Sequence, residues 1–491
     1  MTDLRDVAAG TPVLVGARVV PMPEIEAGDR VLAVQATGDL LVVPAAVDEL
    51  VRTTVAGADA AFRATADVTD EQLSQFFRTF AERLADDALW GSVAEANATD
   101  VARAQEAGRS TTRLVASAKM REGMIDGLMG WAKAPSRRGE VVERRVTDTW
   151  TIERRRAPLG IVAFVFEGRP NVFADGVGVL RGGNVSVMRI GSDALRTAEA
   201  IEATAVAPAL SAAGLPDGAV ALIRSPSHAA AHALFTMSQV RLAIARGSGP
   251  TTSLLGSIAA QSGIPVSLHG TGGAWMYLTE DAPEASVRNA IVHSLDRKVC
   301  NTLNTIVIAG RRARELVPLA IDAIAERDPN ARLHVAAGSE HDVPPDLFDE
   351  RVAVQRADGE VVEPRIDVIP VDDLRREWEW EVTPEVSIVC ARGDDEAVTL
   401  INTYSPRFVA SIITTDRERF DRFYEQVDAP YVGDGFTRWV DGQWAWDRPE
   451  LGLSNWERGR ILGRSGILAG DDVFTVRDVF IDTSGDAAQS R

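Results

Sequence analysis

The spacing of hydrophobic positions changes character repeatedly along the chain. Residues 11 to 44, TPVLVGARVV through GDLLVVP, hold short apolar runs broken by Gly, Asp and Pro, which predicts a small strand-rich module. From Asp48 to about Trp131 the period becomes helical. In DVTDEQLSQFFRTFAERLADDA, Thr69 is placed to cap a helix, and Leu73, Phe76, Phe77 and Phe80 follow at i, i+3, i+4 and i+7 on one face. The segment from Ser136 to Arg156 is dense in Arg and Glu with interspersed Val, Thr and Ile, so it reads as a polar hairpin projecting from the body.

After Pro158 short apolar strands alternate with amphipathic helical stretches. The strands are IVAFVF (161–166), NVSVMRI (184–190), AVALIR (219–224), VRLAIAR (240–246) and IPVSLH (264–269). Apolar runs with no polar face, joined by helices, predict a right-handed, doubly wound parallel sheet that binds ligands at its carboxyl edge. A second series, NTIVIAG, VSIVCARG and VASIITTD, predicts a second α/β domain, with Cys300 at the join. The polar tail after Asp482 is expected to fray.

Composition narrows the functional classes. The 491 residues suffice for about three domains. Lys and Arg number 52 against 71 Asp and Glu, a net charge of -19 that repels phosphodiester backbones and anionic lipid surfaces. Neither a long apolar run nor a basic leader precedes the first module, so no nucleic acid or membrane partner and a cytoplasmic location are expected. The two cysteines, Cys300 and Cys390, are too few for a disulfide framework, and no metal site is expected.

Arg189-Ile190-Gly191-Ser192-Asp193 follows a strand and precedes a helix, and Arg246-Gly247-Ser248-Gly249 repeats that arrangement. Each turn is either an anion cradle or merely tight; two in one sheet point to a nucleotide phosphate. Cys300, between a helical stretch (283–295) and an apolar run, is either a nucleophile or a small core residue; a nearby helix N-terminus would lower its pKa. Cys390 lies inside an apolar strand and reads as core. His269 ends a strand where it reaches a ligand or merely packs. His228 and His232 have i, i+4 metal spacing but no third ligand, so packing is favoured. The Trp-rich segments 378–380 and 439–446 read as packing or interface.

Three further runs carry a resemblance: Arg156-Ala157-Pro158-Leu159-Gly160-Ile161-Val162, Phe166-Glu167-Gly168-Arg169-Pro170-Asn171-Val172 and Arg181-Gly182-Gly183-Asn184. With Glu95-Ala96-Asn97, Asp100-Val101, Glu106-Ala107-Gly108, Val299-Cys300-Asn301-Thr302 and Glu450-Leu451-Gly452-Leu453-Ser454, they resemble the γ-glutamyl phosphate reductase (glutamate-5-semialdehyde dehydrogenase) family of the aldehyde dehydrogenase superfamily. The likeness spans about residues 48 to 470 and marks a divergent member. It implies an aldehyde dehydrogenase-like α/β fold, with a doubly wound nucleotide-binding domain (48–135 and 157–292) and an α/β catalytic domain (293–448); the strand-rich N-terminal extension (1–47) lies outside the likeness. A small oligomerisation element with the tail (136–156 and 449–491) completes it.

The resemblance also implies roles. Cys300 is the catalytic thiol of an NADPH-dependent reduction of an acyl phosphate to an aldehyde. Asn171 and the Cys300 backbone N–H form the oxyanion site, and His269 assists. NADP is held by Arg189, Gly191, Ser192, Arg246, Gly247, Ser248 and Gly249, with Arg189 meeting the 2′-phosphate. Glu167, Arg169, Asn301, Arg407 and Phe408 bind substrate. A homodimer or homotetramer, a small acyl substrate and an acyl kinase that supplies it are the implied partners.

The family's HLDGICH reads His269-Gly270-Thr271-Gly272-Gly273-Ala274-Trp275 here, its GHSEAI reads Arg407-Phe408-Val409-Ala410-Ser411-Ile412, and Asn304 stands where Glu is usual. A glutamyl head group would lose partners at about 1 to 3 kcal/mol each, so a different acyl substrate is expected, with Arg407 and Arg438 as alternative carboxylate partners. The rival readings are γ-glutamyl phosphate itself, an acyl-CoA or carrier-thioester reductase, and a catalytically silent scaffold. A hydrolytic aldehyde dehydrogenase needs a Glu base where His269 stands.

Overall fold

The computed structural model describes residues 7–109, 111, 113–356, 359–446, 449–455 and 467–484. The tail expected to fray lies from residue 485 outside the described residues. The chain forms two compact units, one of Met1–His269, Asp447–Gly452 and Ile467–Arg491, the other of Gly270–Trp446 and Leu453–Gly466.

In the first unit the N-terminal module is two hairpins, Pro12–Val15 with Arg18–Pro21 and Arg30–Val34 with Asp39–Val43. Four long helices follow, Ala45–Ala64, Asp70–Ala85, Asp87–Glu106 and Ala118–Lys133. Thr69 caps the second as the sequence predicts: its Oγ1 accepts from Gln72 N at 3.2 Å, and Gln72 Oε1 accepts from Thr69 N at 3.0 Å. Such a cap contributes about 1 kcal/mol. The stripe of Leu73, Phe76, Phe77 and Phe80 is fully buried, each aromatic ring adding about 1.5 to 3 kcal/mol.

The five predicted strands form one parallel sheet in the order Val266–His269, Val240–Arg246, Ile161–Phe166, Val185–Ile190, Val220–Leu222. Every residue of Ile161–Phe166 and Val185–Ile190 is buried, which is why these runs show no alternation. Register lines up Ile190, Phe166, Arg246 and His269 in one row at the carboxyl edge. The Ser136–Arg156 segment is the hairpin Val141–Val146 with Trp150–Ala157, and Thr475–Asp482 pairs with its second strand.

The second unit is built on a seven-stranded, wholly parallel sheet: Ile366–Ile369, Arg332–Ala336, Glu385–Ala391, Leu303–Ala309, Ala274–Leu278, Val409–Ile413, Tyr431–Gly433. Ala274–Leu278 and the helix Glu284–Ser294 belong to it, so the join expected at 292/293 falls at 269/270. Among the described residues no helix is long and apolar enough to cross a membrane.

Candidate functional site

In the first unit, the order of strands places a switch between Ile161–Phe166 and Val240–Arg246, whose connections leave on opposite sides of the sheet; ligands bind in the crevice that opens there. Arg246 ends its strand with a buried guanidinium that donates from Nη1 to Asp175 Oδ2 at 3.0 Å. Asp175 also accepts from Asn171 Nδ2 at 3.3 Å, so the amide expected at the oxyanion is turned toward this carboxylate. Glu167 donates its N–H to Arg246 O at 3.0 Å, and its carboxylate stands 3.8 Å from Arg113 Nη1. Burial, with Arg246 and Arg113 nearby, lowers the Arg169 pKa to about 10. The same causes act on His269: burial first, then Arg246, Arg169 and Arg113 push its pKa well below the ordinary value and keep the imidazole neutral.

Gly247 donates to His269 O at 3.2 Å and Ser248 opens the helix Gly249–Gln261. No side chain caps that helix; the Ser248 hydroxyl bonds Thr251 Oγ1 at 3.0 Å. An uncapped N-terminus of this length, at the switch point and beside a cationic strand end, fits a dinucleotide phosphate. Gly191 serves packing instead, because a Cβ there would come 2.6 Å from Gly168 N. Ser192 starts the turn Ser192–Ala194. Arg189 departs from expectation: only 3% exposed, it donates to Pro226 O at 3.0 Å, and burial lowers its pKa. Its burial one residue before the carboxyl-edge row turns it away from a 2′-phosphate, and Arg109, paired with Asp193, is a cation next to Ser192.

Several resemblance residues are struts. Asn97 bonds Leu114 O, Thr197 Oγ1 and Ala116 N, and Asp100 accepts twice from Thr197. Asn184 Oδ1 accepts from Leu159 N and Gly160 N while its amide donates to Val473 O. Gly183 before it takes a left-handed φ of 82°.

In the second unit Cys300 sits on a turn leading into the strand Leu303–Ala309, six residues past the end of the helix Glu284–Ser294. Among the described residues no helix begins within this turn, contrary to the expectation of a helix N-terminus in the adjacent chain. The turn is held from all sides. Thr302 Oγ1 accepts from Val299 N at 2.9 Å and donates to Arg297 O at 2.6 Å, and Cys300 O accepts from Gly273 N at 2.7 Å. Lys298 Nζ reaches Glu377 Oε1 at 2.8 Å, and Glu377 Oε2 accepts from Gly272 N at 2.7 Å. Cys390 contrasts: in the strand Glu385–Ala391, burial and then Asp342 push its pKa up to about 11.

Four expectations in this unit need correction. Asn301, 3% exposed, donates to Val440 O at 2.7 Å and accepts from Arg438, so it ties the turn down instead of facing substrate. Phe408 is 1% exposed and packs edge-on to Tyr431, because the residue leads straight into a buried strand. Ala274, Trp275 and Ala410 are likewise sealed in the sheet, Trp275 directly opposite Ala410. Arg438 is committed to Asp296 and Asn301, and Arg407 to Asp428 at 3.2 Å. Of the divergent residues only Thr271 is exposed, its carbonyl accepting from Asn455 Nδ2 at 2.9 Å. Sequence reasoning missed Asp175, Lys298 and Glu377. The i, i+4 spacing of Asn171 and Asp175 was the one local signal.

The fold has solved counterparts. A γ-glutamyl phosphate reductase from Thermotoga maritima is 23% identical over 88% of this chain and 98% of its own, with a TM-score of 0.75. An acetylating aldehyde dehydrogenase from Geobacillus thermoglucosidasius is 15% identical, covering 91% and 98%, with a TM-score of 0.62. A propionaldehyde dehydrogenase from Rhodopseudomonas palustris, solved with propionyl-CoA, is 14% identical, covering 88% and 94%, with a TM-score of 0.58. At these identities the likeness is one of fold. The sequence pattern of the aldehyde dehydrogenase family matches residues 33–332, more than half of the chain, and the chain therefore belongs to that family.

Proposed function

We propose that this protein reduces an activated acyl group to an aldehyde, with an acyl phosphate as donor and NADPH as reductant. The observation that carries the reading is the Cys300 turn: a half-buried thiol held by backbone and side-chain bonds, against a second cysteine kept protonated inside a strand. The Cys300 thiolate attacks the acyl carbon, a carbon–sulfur bond forms, and phosphate leaves with the oxygen that linked it. A bound reduced nicotinamide supplies the hydride for the second half of the reaction. Collapse of the resulting hemithioacetal breaks the carbon–sulfur bond, frees the aldehyde and returns the thiolate. His269, kept neutral by burial and three arginines at the carboxyl edge of the first unit, carries no charge that would oppose an anion-binding cation there.

One feature supports an anionic donor: the guanidinium excess of Arg113, Arg169 and Arg246 over Glu167 and Asp175. γ-Glutamyl phosphate is the second reading. The burial of Ala274, Trp275, Phe408 and Ala410 favours it, since those replacements face no ligand; the commitment of Arg407 and Arg438 to Asp428, Asp296 and Asn301 favours a less polar acyl group. For the coenzyme, the exclusion of Arg189 leaves the Arg109–Asp193 pair as the discriminating element. Oxidation of NADPH and NADH with acyl phosphates and acyl-CoAs tests all of this in one assay. Cys300→Ser is expected to lose at least about a thousandfold in kcat; a serine variant retaining a few per cent, turnover of thioesters alone, or an NADH preference overturns the corresponding part.

Self-association through the three-stranded sheet is part of the same proposal. Val142, Val146 and Phe480 are 45%, 65% and 54% exposed there, and among the described residues each outer strand is paired in a sheet on one side only. Light scattering at micromolar concentration is expected to show a dimer or tetramer, and a 52.8 kDa particle would refute it.

A further inference from the structure

We propose that Lys298 and Glu377 form a positioning pair that fixes the Cys300 turn and whose two charges offset each other beside the thiol. The inference rests on Cys300 being the nucleophile.

Cys300 lies between two chain segments that this pair ties together. On one side Lys298, two residues before it, has a side chain only 5% exposed, and its Nζ is 2.8 Å from Glu377 Oε1. On the other side Glu377 Oε2 accepts from Gly272 N at 2.7 Å. Gly272 lies directly against the nucleophile's backbone: a Cβ there would come 2.6 Å from Cys300 Cα, 2.7 Å from Cys300 O and 2.8 Å from Glu377 Oε1. The next residue, Gly273, donates to Cys300 O at 2.7 Å. One carboxylate thus bridges the segment before the cysteine and the segment packed against it.

Glu377 itself cannot drift, because its neighbours on both sides are fastened. Asn304 donates from Nδ2 to Arg376 O at 3.0 Å and accepts at Oδ1 from Trp378 N at 2.9 Å. The Trp378 ring stacks on His334 with centroids 3.5 Å apart, and its Nε1 donates to Ser387 Oγ at 2.8 Å. This gives Asn304 a role a Glu could not fill, since a carboxylate has no N–H for Arg376 O.

Two ion pairs and two further cations lie around the turn. Asp296 and Arg297 are exposed on the turn itself, Arg438 pairs with Asp296 and bonds Asn301, and the Arg376 guanidinium lies 4.5 Å above the Trp378 ring. Lys298 lies two residues from Cys300 and Glu377 accepts from its Gly272 neighbour, so the pair sets opposite charges beside the thiol that cancel. Removing one leaves the other acting on the thiol alone. A lone ammonium favours the thiolate and a lone carboxylate disfavours it. A salt bridge that merely held the fold would not move the thiol in opposite directions when its two halves are removed.

The test is the pH profile of iodoacetamide alkylation of Cys300 in the full chain carrying Cys390→Ser, alongside kcat. Lys298→Met is expected to raise the apparent thiol pKa and Glu377→Gln to lower it, each by about a unit, with kcat down about tenfold or more in both. Lys298→Arg is expected to stay within about threefold of wild type. The double variant Lys298→Met/Glu377→Gln, which removes both charges and keeps an acceptor for Gly272, is expected to restore the thiol pKa while kcat stays low. If either single variant does not fold, the double variant decides: unchanged kcat overturns the proposal. Shifts in the same direction, or superimposable profiles in folded single variants, also overturn it. Loss of turnover in Cys300→Ser together with superimposable profiles refutes the positioning pair alone, whereas retained turnover in Cys300→Ser refutes the nucleophile assignment.

Discussion

The carboxyl edge of the first unit and the cysteine turn of the second are built on opposite electrostatic terms. Along the edge, Arg113, Arg169, Arg246 and a neutral His269 surround two carboxylates, Glu167 and Asp175, and the Arg169 pKa is lowered to about 10. In the second unit the charges nearest the turn are held in ion pairs, Lys298 with Glu377 and Arg438 with Asp296, and Arg407 is paired with Asp428. A desolvated guanidinium, as in Arg246 and Arg169, is unfavourable until an anion pairs with it. A turn whose groups are already bonded is held in place. On the proposed reading the first region takes up charge and the second fixes geometry.

The sharpest way to break the contrast is at the one strong pair on the cationic edge. Arg246 and Asp175 have side chains 8% and 17% exposed, so Asp175→Asn strands a buried guanidinium. The expected loss is about 3 kcal/mol of unfolding free energy, read in urea, with weaker coenzyme binding. A loss below about 1 kcal/mol would mean that water or neighbouring groups already neutralise Arg246.

Acid separates the regions next. Burial first, then His228 and Arg189, lower the His232 pKa to about 4, in the helix His228–Leu234 of the first unit. Between about 4 and the ordinary 6.5 the unfolded chain binds a proton that the folded chain refuses, so stability is full above 6.5 and is lost as pH falls toward 4. His334 in the second unit is also lowered by burial, but Glu385 opposes the shift through a 3.0 Å bond. Urea unfolding followed from pH 7 to 4.5 is expected to cost the wild type about 2 kcal/mol through His232, and His232→Gln to remove that slope. An unchanged slope in the variant would refute the assignment.

What the sequence disclosed, and what it hid, follows the range of the interactions. The Thr69 capping box, the Leu73–Phe80 stripe and the first sheet's strands were legible because caps and uninterrupted apolar runs are local chemistry. The strand Arg332–Ala336, sequence RLHVA, was not: its Arg332 and His334 are buried against Glu363, Asp367 and Glu385, partners supplied by other strands. Within the site, Cys300 and the turns at 189–193 and 246–249 could be placed from their neighbours. Asn301, Phe408 and Arg189 matched motif positions, yet a motif gives a place in the chain and not the direction of a side chain. Asp175 and Glu377 act on residues 71 and 79 positions away, beyond any local pattern.

The smallest effect tests whether the ion-paired region carries any strain. Arg407 has a φ of 54°, the left-handed value that among the described residues no other non-glycine adopts, at a position where the resembled family pattern GHSEAI has glycine. A Cβ in that conformation costs roughly 1 to 2 kcal/mol. What offsets it is the Arg407 Nε contact to Asp428 at 3.2 Å, a pair with one side chain 41% and the other 7% exposed. Arg407→Ala keeps the strain and loses the pair, so it is expected to lower stability by about 1 kcal/mol; Arg407→Gly loses the pair but relieves the strain and is expected to fall within about 0.5 kcal/mol of wild type. Thermal unfolding of the two variants side by side decides it. If alanine were tolerated as well as glycine, the left-handed backbone would be costing nothing, and the ion pair would need no strain to oppose.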